Sequence, residues 1–343
     1  MIRLQRLIRY EFWPFWLFYV PAYINWVRLA ILARYTTYFT ATNPIMNNSG
    51  AFNVSKFSYL SKLPAAWIPT TVKIDATIDL TSLTTLLNEN TLTFPLIIKP
   101  DRGERGKGVQ LVSTLNALTQ IIKSTPHRDL LLQSYCSYPN EAGILYYRYP
   151  NELRGRVSSI TTKEFCEITG DGITSWGKLI ESNIRLAHRL KLLQERHENC
   201  WEIPSVKGEQ ILVEPIGSHN LGTKFLSGQH LRSQSITACL DHWADQLPGF
   251  YYGRFDIKYT SWDALLAGEE FKIIEINGVN AEPTHIYDPN YPIVKAYRDI
   301  FFHMKIIHQI SKQNRSLGIA PKRLKPFLTE LLHTATQKSP TSL

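Results

Sequence analysis

The chain is 343 residues long, 44% apolar and 20% charged, and its 38 Lys+Arg against 29 Asp+Glu give a formal charge of +9. These proportions are those of a globular protein and exclude disordered, collagen-like and proline-rich classes. The excess charge lies at the two ends, +4 over residues 1–38 and +7 over 295–343, which leaves −2 for the middle. A dedicated nucleic-acid binder would spread positive charge over its working face, so no specific nucleic-acid partner is expected.

In chain order, residues 1–40 read as a helical segment broken near Pro14 and Pro21. Within it, Phe12 to Val27 is an uncharged, aromatic run interrupted by Pro14, Pro21 and Asn25. It is shorter than the roughly 20 apolar residues a spanning helix needs, and it lacks the simple aliphatic core of a signal peptide. The expectation is that it packs on its own domain, with peripheral contact between residues 1–38 and a membrane as the alternative. Residues 42–54 form a turn-rich loop, followed by a short helix ending at Pro64 and a second helix over Leu80–Asn88. PLIIKP (95–100) and GVQLV (108–112) read as two strands of a hairpin whose tip is DRGERGK. Further strands are expected at 130–135, 144–149, 157–165, around 211–236, at 255–259 and at 271–276, with an amphipathic helix over Ser175–Gln194. The last 50 residues read as helical and fray after Pro326 into a polar tail. Strands and helices mix without a regular βαβ alternation, so the fold class is α+β. The cysteines, Cys136, Cys166, Cys200 and Cys239, lie at least 30 residues apart with no CxxC pair, which reads as reduced thiols in a cytoplasmic protein.

Two features carry chemistry. The loop Asp101–Gly108 follows a strand ending in Lys99-Pro100, and its Gly103, Gly106 and Gly108 would let backbone amides approach an anion. It has neither the GxxxxGK[ST] nor the GxGxxG spacing, and a mobile surface hairpin is the plain alternative. The second feature is a pair of strands, GRFDIK (253–258) and FKIIEING (271–278), each placing an acid among apolar residues. Side chains alternate along a strand, so Glu275 and Asn277 share a face. Buried carboxylates on neighbouring strands repel unless a cation separates them. Asp256, Glu275 and Asn277 offer the oxygen ligands that suit Mg²⁺ carried in with phosphates, with Mn²⁺ as a substitute. The alternative is an acidic pair satisfied by Arg254 and Lys258.

Taken together and in this order, these residues resemble the ATP-grasp superfamily of carboxylate–amine ligases, of which D-alanine–D-alanine ligase is one. The resemblance runs over about residues 55–290. It implies that Lys56, after Ser55 where the family has aspartate, and Lys99 reach the nucleotide phosphates. It implies that the strand Leu130–Tyr135 receives adenine, with Gln133 and Tyr135 at the nucleotide, and that Glu141 binds ribose. It implies metal ligation by Asp256, Glu275 and Asn277, and an oxyanion-stabilising role for Arg254. His285 is the candidate base at an acceptor site in loops that also hold His219, Glu282 and Asp288; segments 217–223 and 280–288 match no substrate motif of the family. The organisation expected is an aromatic, basic segment 1–54 in place of a larger N-terminal domain, then two α+β parts, 55–134 and 135–325, clasping ATP, and a polar tail 326–343. The activity implied is ATP- and Mg²⁺-dependent joining of a small-molecule or peptide carboxylate to an amine through an acyl-phosphate. A kinase acting on a hydroxyl and a non-catalytic nucleotide binder at a membrane surface are the alternatives.

Overall fold

The computed structural model of the protein describes residues 8–103, 106, 108–125, 129–187 and 189–337. Helices α1 (Phe15–Phe18) and α2 (Val20–Ala33) open the described chain. The chain breaks at Pro14 as expected, but Pro21 sits in the first turn of α2. A proline there lacks only an amide that has no intrahelical acceptor, so it starts the helix instead of breaking it. Helix α3 (Lys56–Leu60) follows, its first turn capped by Ser55, whose Oγ accepts from the Ser58 amide.

The first sheet has the order β1-β4-β2-β3 and is antiparallel throughout. Its strands are β1 (Thr71–Asp75), β2 (Leu96–Pro100), β3 (Gln110–Val112) and β4 (Asp129–Ser134). The expected hairpin is present as β2 and β3. Helices α4 (Leu80–Glu89) and α5 (Leu115–Ser124) cover one face, where Leu96, Ile98, Leu130 and Leu132 meet Leu83, Leu87, Leu118 and Ile122. Alternation then turns Ile97, Lys99, Leu131 and Gln133 to the other face.

The second sheet has the order β11-β10-β5-β6-β9. It comprises β5 (Asn140–Tyr147), β6 (Arg156–Glu164), β9 (Lys224–Ser227), β10 (Tyr252–Tyr259) and β11 (Phe271–Asn277). Strands β7 (Cys166–Thr169) and β8 (Gln210–Glu214) form a separate ribbon, with α6 (Trp176–Ser182) and α7 (Leu190–Arg196) packed on it. The single helix expected over Ser175–Gln194 is therefore two: α6 ends at Asn183, whose extended backbone breaks the pattern. Helix α8 (Gln234–Asp245) and α9 (Trp262–Ala267) back the second sheet through Ile236, Leu240, Trp243 and Leu265. On β10 the odd residues Phe255, Ile257 and Tyr259 enter this core. The even residues Arg254, Asp256 and Lys258 therefore face the opposite way.

Helix α10 (Ile293–Ser316) lies beside α2, and α11 (Leu324–Gln337) ends the described chain. The polar tail expected from 326 is thus corrected over most of its length. Pro326 falls in the first turn of α11, where it is tolerated, and Phe327 packs edge-on against Phe39 and Phe52. Residues 338–343 of that tail lie outside the described residues.

The loop after β11 is seated on the turn at 47–50 by close backbone contact. A Cβ at Gly278 would lie 2.3 Å from the Ser49 carbonyl oxygen and 2.7 Å from Gly50 Cα. Gly278→Ala should lower stability by more than about 2 kcal/mol, because backbone must move to admit the methyl group. Urea unfolding monitored by circular dichroism measures this; an unchanged midpoint would mean that the two loops are not seated on one another.

Candidate active site

The two sheets turn their polar faces to one cleft of about 710 Å³. On the first sheet, the buried Lys99 Nζ donates to Gln133 Oε1 (2.9 Å) and to the Ile274 carbonyl of β11 (3.2 Å), so one ammonium ties the sheets together. Gln133 in turn donates to Thr71 Oγ1 at 2.8 Å. Burial pushes the Lys99 pKa down to about 8; the Glu275 charge opposes this and the Lys56 charge adds to it. Lys56 donates to the Gly103 carbonyl and lies 3.8 Å from Glu275 Oε1. Its helix is pinned by the fully buried Asp101, whose Oδ1 accepts from Ser55 Oγ and from the Phe57 amide, both at 3.0 Å. Gly103 and Gly106 line the cleft. Gly108, in left-handed backbone at φ +76°, lies against Pro100 instead. Residues 104, 105 and 107 of the expected flap lie outside the described residues.

On the second sheet, Arg254 Nε and Nη2 donate to the two oxygens of Asp256 at 2.8 and 2.9 Å, and Asn277 Nδ2 adds a third bond at 3.1 Å. Register places Asp256 opposite Glu275 and Arg254 opposite Asn277, with a bulge just after Asp256. On the other side Asp256 faces Gly143, where a Cβ would come within 2.9 Å of Asp256 Oδ1 and 3.0 Å of Arg254 Cδ. Glycine is what makes room for the ion pair. Burial alone would raise the Asp256 pKa, but Arg254, then Lys163 and Lys99, outweigh it and hold the carboxyl below its usual range. Arg254 is deeply buried, which disfavours its charge, yet Asp256 more than compensates and its pKa is raised.

Glu141 is buried and ion-paired with Lys163, which also donates to the Gly217 carbonyl at 2.8 Å. Burial would lower the Lys163 pKa, but Glu141 and Asp256 overcome it and raise the value. A Cβ at Gly217 would meet the Glu141 carboxylate at 2.5 Å, which gives the 217–223 segment a structural task. Tyr135 lines the cleft beside Lys258, whose Nζ is 5.7 Å from the ring centroid.

The expected metal ligands share one wall of the cleft. Among the described residues, no group of three or more His, Cys, Asp or Glu side chains could by itself hold a metal ion. The donors present are two carboxylates and an amide, and Asp256 is already engaged three times. That set fits an oxygen-seeking ion that arrives with phosphate and water ligands of its own, as Mg²⁺ does. It does not fit a dedicated all-protein cage.

His285 is corrected. It is 1% exposed and does not line the cleft. Its Nδ1 is 2.7 Å from Ser159 Oγ and its Nε2 is 3.1 Å from Asp299 Oδ2, so both ring nitrogens serve the junction between β6 and α10. Asp288 likewise accepts from the Ser227 amide at 2.8 Å and lies outside the cleft. His219 and Glu282 do line it. Glu282 accepts from Tyr287 Oη at 2.7 Å.

Sequence reasoning missed the part of the cleft lining that the N-terminal segment supplies. Tyr10, Glu11, Trp13, Phe15 and Phe18 of the N-terminal segment line the cleft. Glu11 is buried, with Oε2 2.7 Å from Arg185 and 3.5 Å from His219. Burial would raise its pKa, but His219 and Arg185 hold it low. The segment therefore packs on its own chain, as the aromatic content suggested. Lys163 was also missed; strand alternation alone puts it on the face of Ser159 and Thr161.

No family model matches the chain, and no curated protein sequence matches it significantly. Among solved structures, similar ones include VanG D-Ala:D-Ser ligase from Enterococcus faecalis, at 13% identity over 79% of this chain and 64% of that one (TM-score 0.42). D-alanine–D-alanine ligase from Bacillus anthracis is similar at 12% identity over 80% and 72% (TM-score 0.45). The Coxiella burnetii D-alanine–D-alanine ligase is similar at 9% over 85% and 64% (TM-score 0.44). This chain spans less than two thirds of the VanG and Coxiella chains.

Removing one partner of the buried Glu141–Lys163 pair leaves an uncompensated charge. Lys163→Met should cost about 3–5 kcal/mol, and the double variant Lys163→Met/Glu141→Met should lie closer to the parent than Lys163→Met alone. A double-mutant cycle by urea unfolding reads both; a single variant as stable as the parent would mean the pair is not buried.

Proposed function

We propose that the protein is an ATP-dependent ligase that activates a carboxylate as an acyl-phosphate and couples it to an amine, releasing ADP and phosphate. The observation that carries the reading is the convergence, in one cleft, of Lys56 and Lys99 from one side with Asp256, Glu275 and Asn277 from the other.

In this reading Lys56, Lys99 and the amides of Gly103 and Gly106 hold the phosphates, and Gln133 to Cys136 border the base. Glu141 binds ribose, exchanging part of its bond with Lys163. Asp256, Glu275 and Asn277 hold Mg²⁺ or Mn²⁺, which would offset phosphate charge. A carboxylate oxygen attacks the γ-phosphorus in line, the bond to the β-phosphate oxygen breaks, and ADP leaves. The amine then attacks the acyl carbon, phosphate departs with the electron pair of the C–O bond, and the nitrogen loses a proton. Arg254 is rigidly held by Asp256 and borders the cleft, which suits it to face the developing oxyanion. The wall of Tyr10, Trp13 and Phe15 covers the acceptor end and keeps water from the acyl-phosphate. The carboxylate of Glu282, which lines the cleft, makes that end suitable for an amine.

Purified protein with ATP and Mg²⁺ should release ADP and phosphate only when a carboxylate and an amine are both present, and hydroxylamine should trap the activated acyl group. Glu275→Ala should abolish release. AMP as product, or a stable phosphorylated hydroxyl compound, would overturn the reading.

Lys99 gives a pH signature. The free protein's Lys99 loses its proton near pH 8, and bound phosphates favour the charged form and raise that value. Nucleotide affinity is therefore flat below pH 8 and falls above it, by up to about tenfold per pH unit until the bound form also titrates. Lys99→Arg should flatten the profile. Titration with a fluorescent nucleotide from pH 6.5 to 9.5 measures both; a parent profile flat across that range would remove Lys99 from the phosphate site.

A further inference from the structure

Helix α2 is apolar on both of its faces. Its inner face buries Ala22, Leu29, Ala30 and Ala33. Its outer face, continued from α1, presents Trp16, Val20, Tyr23, Ile24, Val27 and Ile31, recurring every three or four residues, with Trp16, Ile24 and Ile31 each about two thirds or more exposed (66%, 68% and 71%). A helix that is hydrophobic all round belongs in a core or against another apolar phase, and a stripe of this kind in water calls for a cover.

Helix α10 extends the surface. It runs parallel to α2: Tyr297 Oη donates to the Phe18 carbonyl (2.9 Å), Asn25 Nδ2 meets Met304 Sδ (3.5 Å), and Arg315 donates to the Ala33 carbonyl (2.7 Å). Phe301 stacks on Tyr297, which stacks on Phe18. Beside the exposed Val294, Phe301 and Phe302, α10 exposes Lys295, Arg298, Lys305 and Lys312. Arg28 and Arg34 border the stripe on α2. The acids of these elements face inward or are engaged: Glu11 is buried with Arg185, and Asp299 is held by His285, Tyr291 and Arg298. The surface thus combines exposed aromatic and aliphatic side chains with a basic fringe, in which Arg298 shares the charge of Asp299.

We propose that this face, the outer side of α1 and α2 with the adjoining flank of α10, docks on an anionic lipid bilayer. The combination of Trp, Tyr and aliphatic anchors with a basic fringe is what an interfacial helix uses, apolar area supplying depth and Lys/Arg supplying attraction to acidic headgroups. The helix lies on the bilayer and does not cross it. Fourteen residues rise about 21 Å against a hydrocarbon core of about 30 Å, and no helix among the described residues is long and apolar enough to span. The lipid-facing stripe adjoins the cleft, because Trp13 and Phe15 line the cleft while Trp16 and Leu17 face out.

The test uses the full chain sedimented with vesicles of phosphatidylcholine alone or mixed with phosphatidylglycerol. Binding to mixed vesicles, weakened by added salt, is expected. Trp16→Ser/Ile24→Ser/Ile31→Ser and Arg28→Glu/Arg298→Glu/Lys305→Glu should each lower partitioning by at least about tenfold, with thermal unfolding showing that both variants fold. No binding to mixed vesicles, equal binding to neutral ones, or unaltered binding by the triple variants overturns the proposal. So does a dimer by light scattering that the serine variant dissociates, which would make the face a contact between copies.

Discussion

Arg254 and Asp256 stand two residues apart on an interior strand and point to the same side, Asp256 buried and Arg254 largely so. Neither charge is tolerable there without the other, and the surroundings are arranged to admit the pair. Gly143 opposite leaves the volume, Asn277 supplies another donor, and the bulge after Asp256 keeps Glu275 and Asn277 on its face. The same balance extends outward: among the described residues, the cleft is lined by five basic side chains and five carboxylates. Under the proposed function, a triphosphate held between walls so balanced would call for a divalent ion beside Glu275 and Asp256, in addition to the lysines.

Lys99 couples this pair to the rest of the fold. Its ammonium is bonded to a side chain on one sheet and a backbone carbonyl on the other, so the link between the two layers is a charge. Burial makes that charge costly, and its lowered pKa is the sign of that cost.

The parts of this arrangement that depend on local alternation were legible in the sequence. An acid between two large apolar residues, as at Phe255-Asp256-Ile257 and Ile274-Glu275-Ile276, reads at once as a charge facing away from a core. The hairpin around the glycine-rich loop was readable for the same reason. What escaped depends on partners far away in the chain. Lys163 looks like any outward lysine until Glu141 and Gly217 are brought to it. His285 looks like a loop base until Ser159 and Asp299 occupy both its nitrogens. The amphipathic pattern over 175–194 could not reveal the turn at Asn183, and the polar letters after Pro326 concealed an apolar edge whose Phe327 finds Phe39 and Phe52.

The N-terminal aromatics were read as either packed on the chain or exposed to another phase. One side of this short stretch of backbone packs against the cleft, and the other side is exposed. A consequence follows for how this segment can change over time. Residues 10–18 cannot be exchanged, truncated or re-angled for the benefit of the outer surface without altering the lining of the cleft. A substitution that improves the cleft must likewise keep a helix that presents Trp16, Val20 and Ile24 outward. The two surfaces are inherited as one unit, so a change on one side of the segment reaches the other.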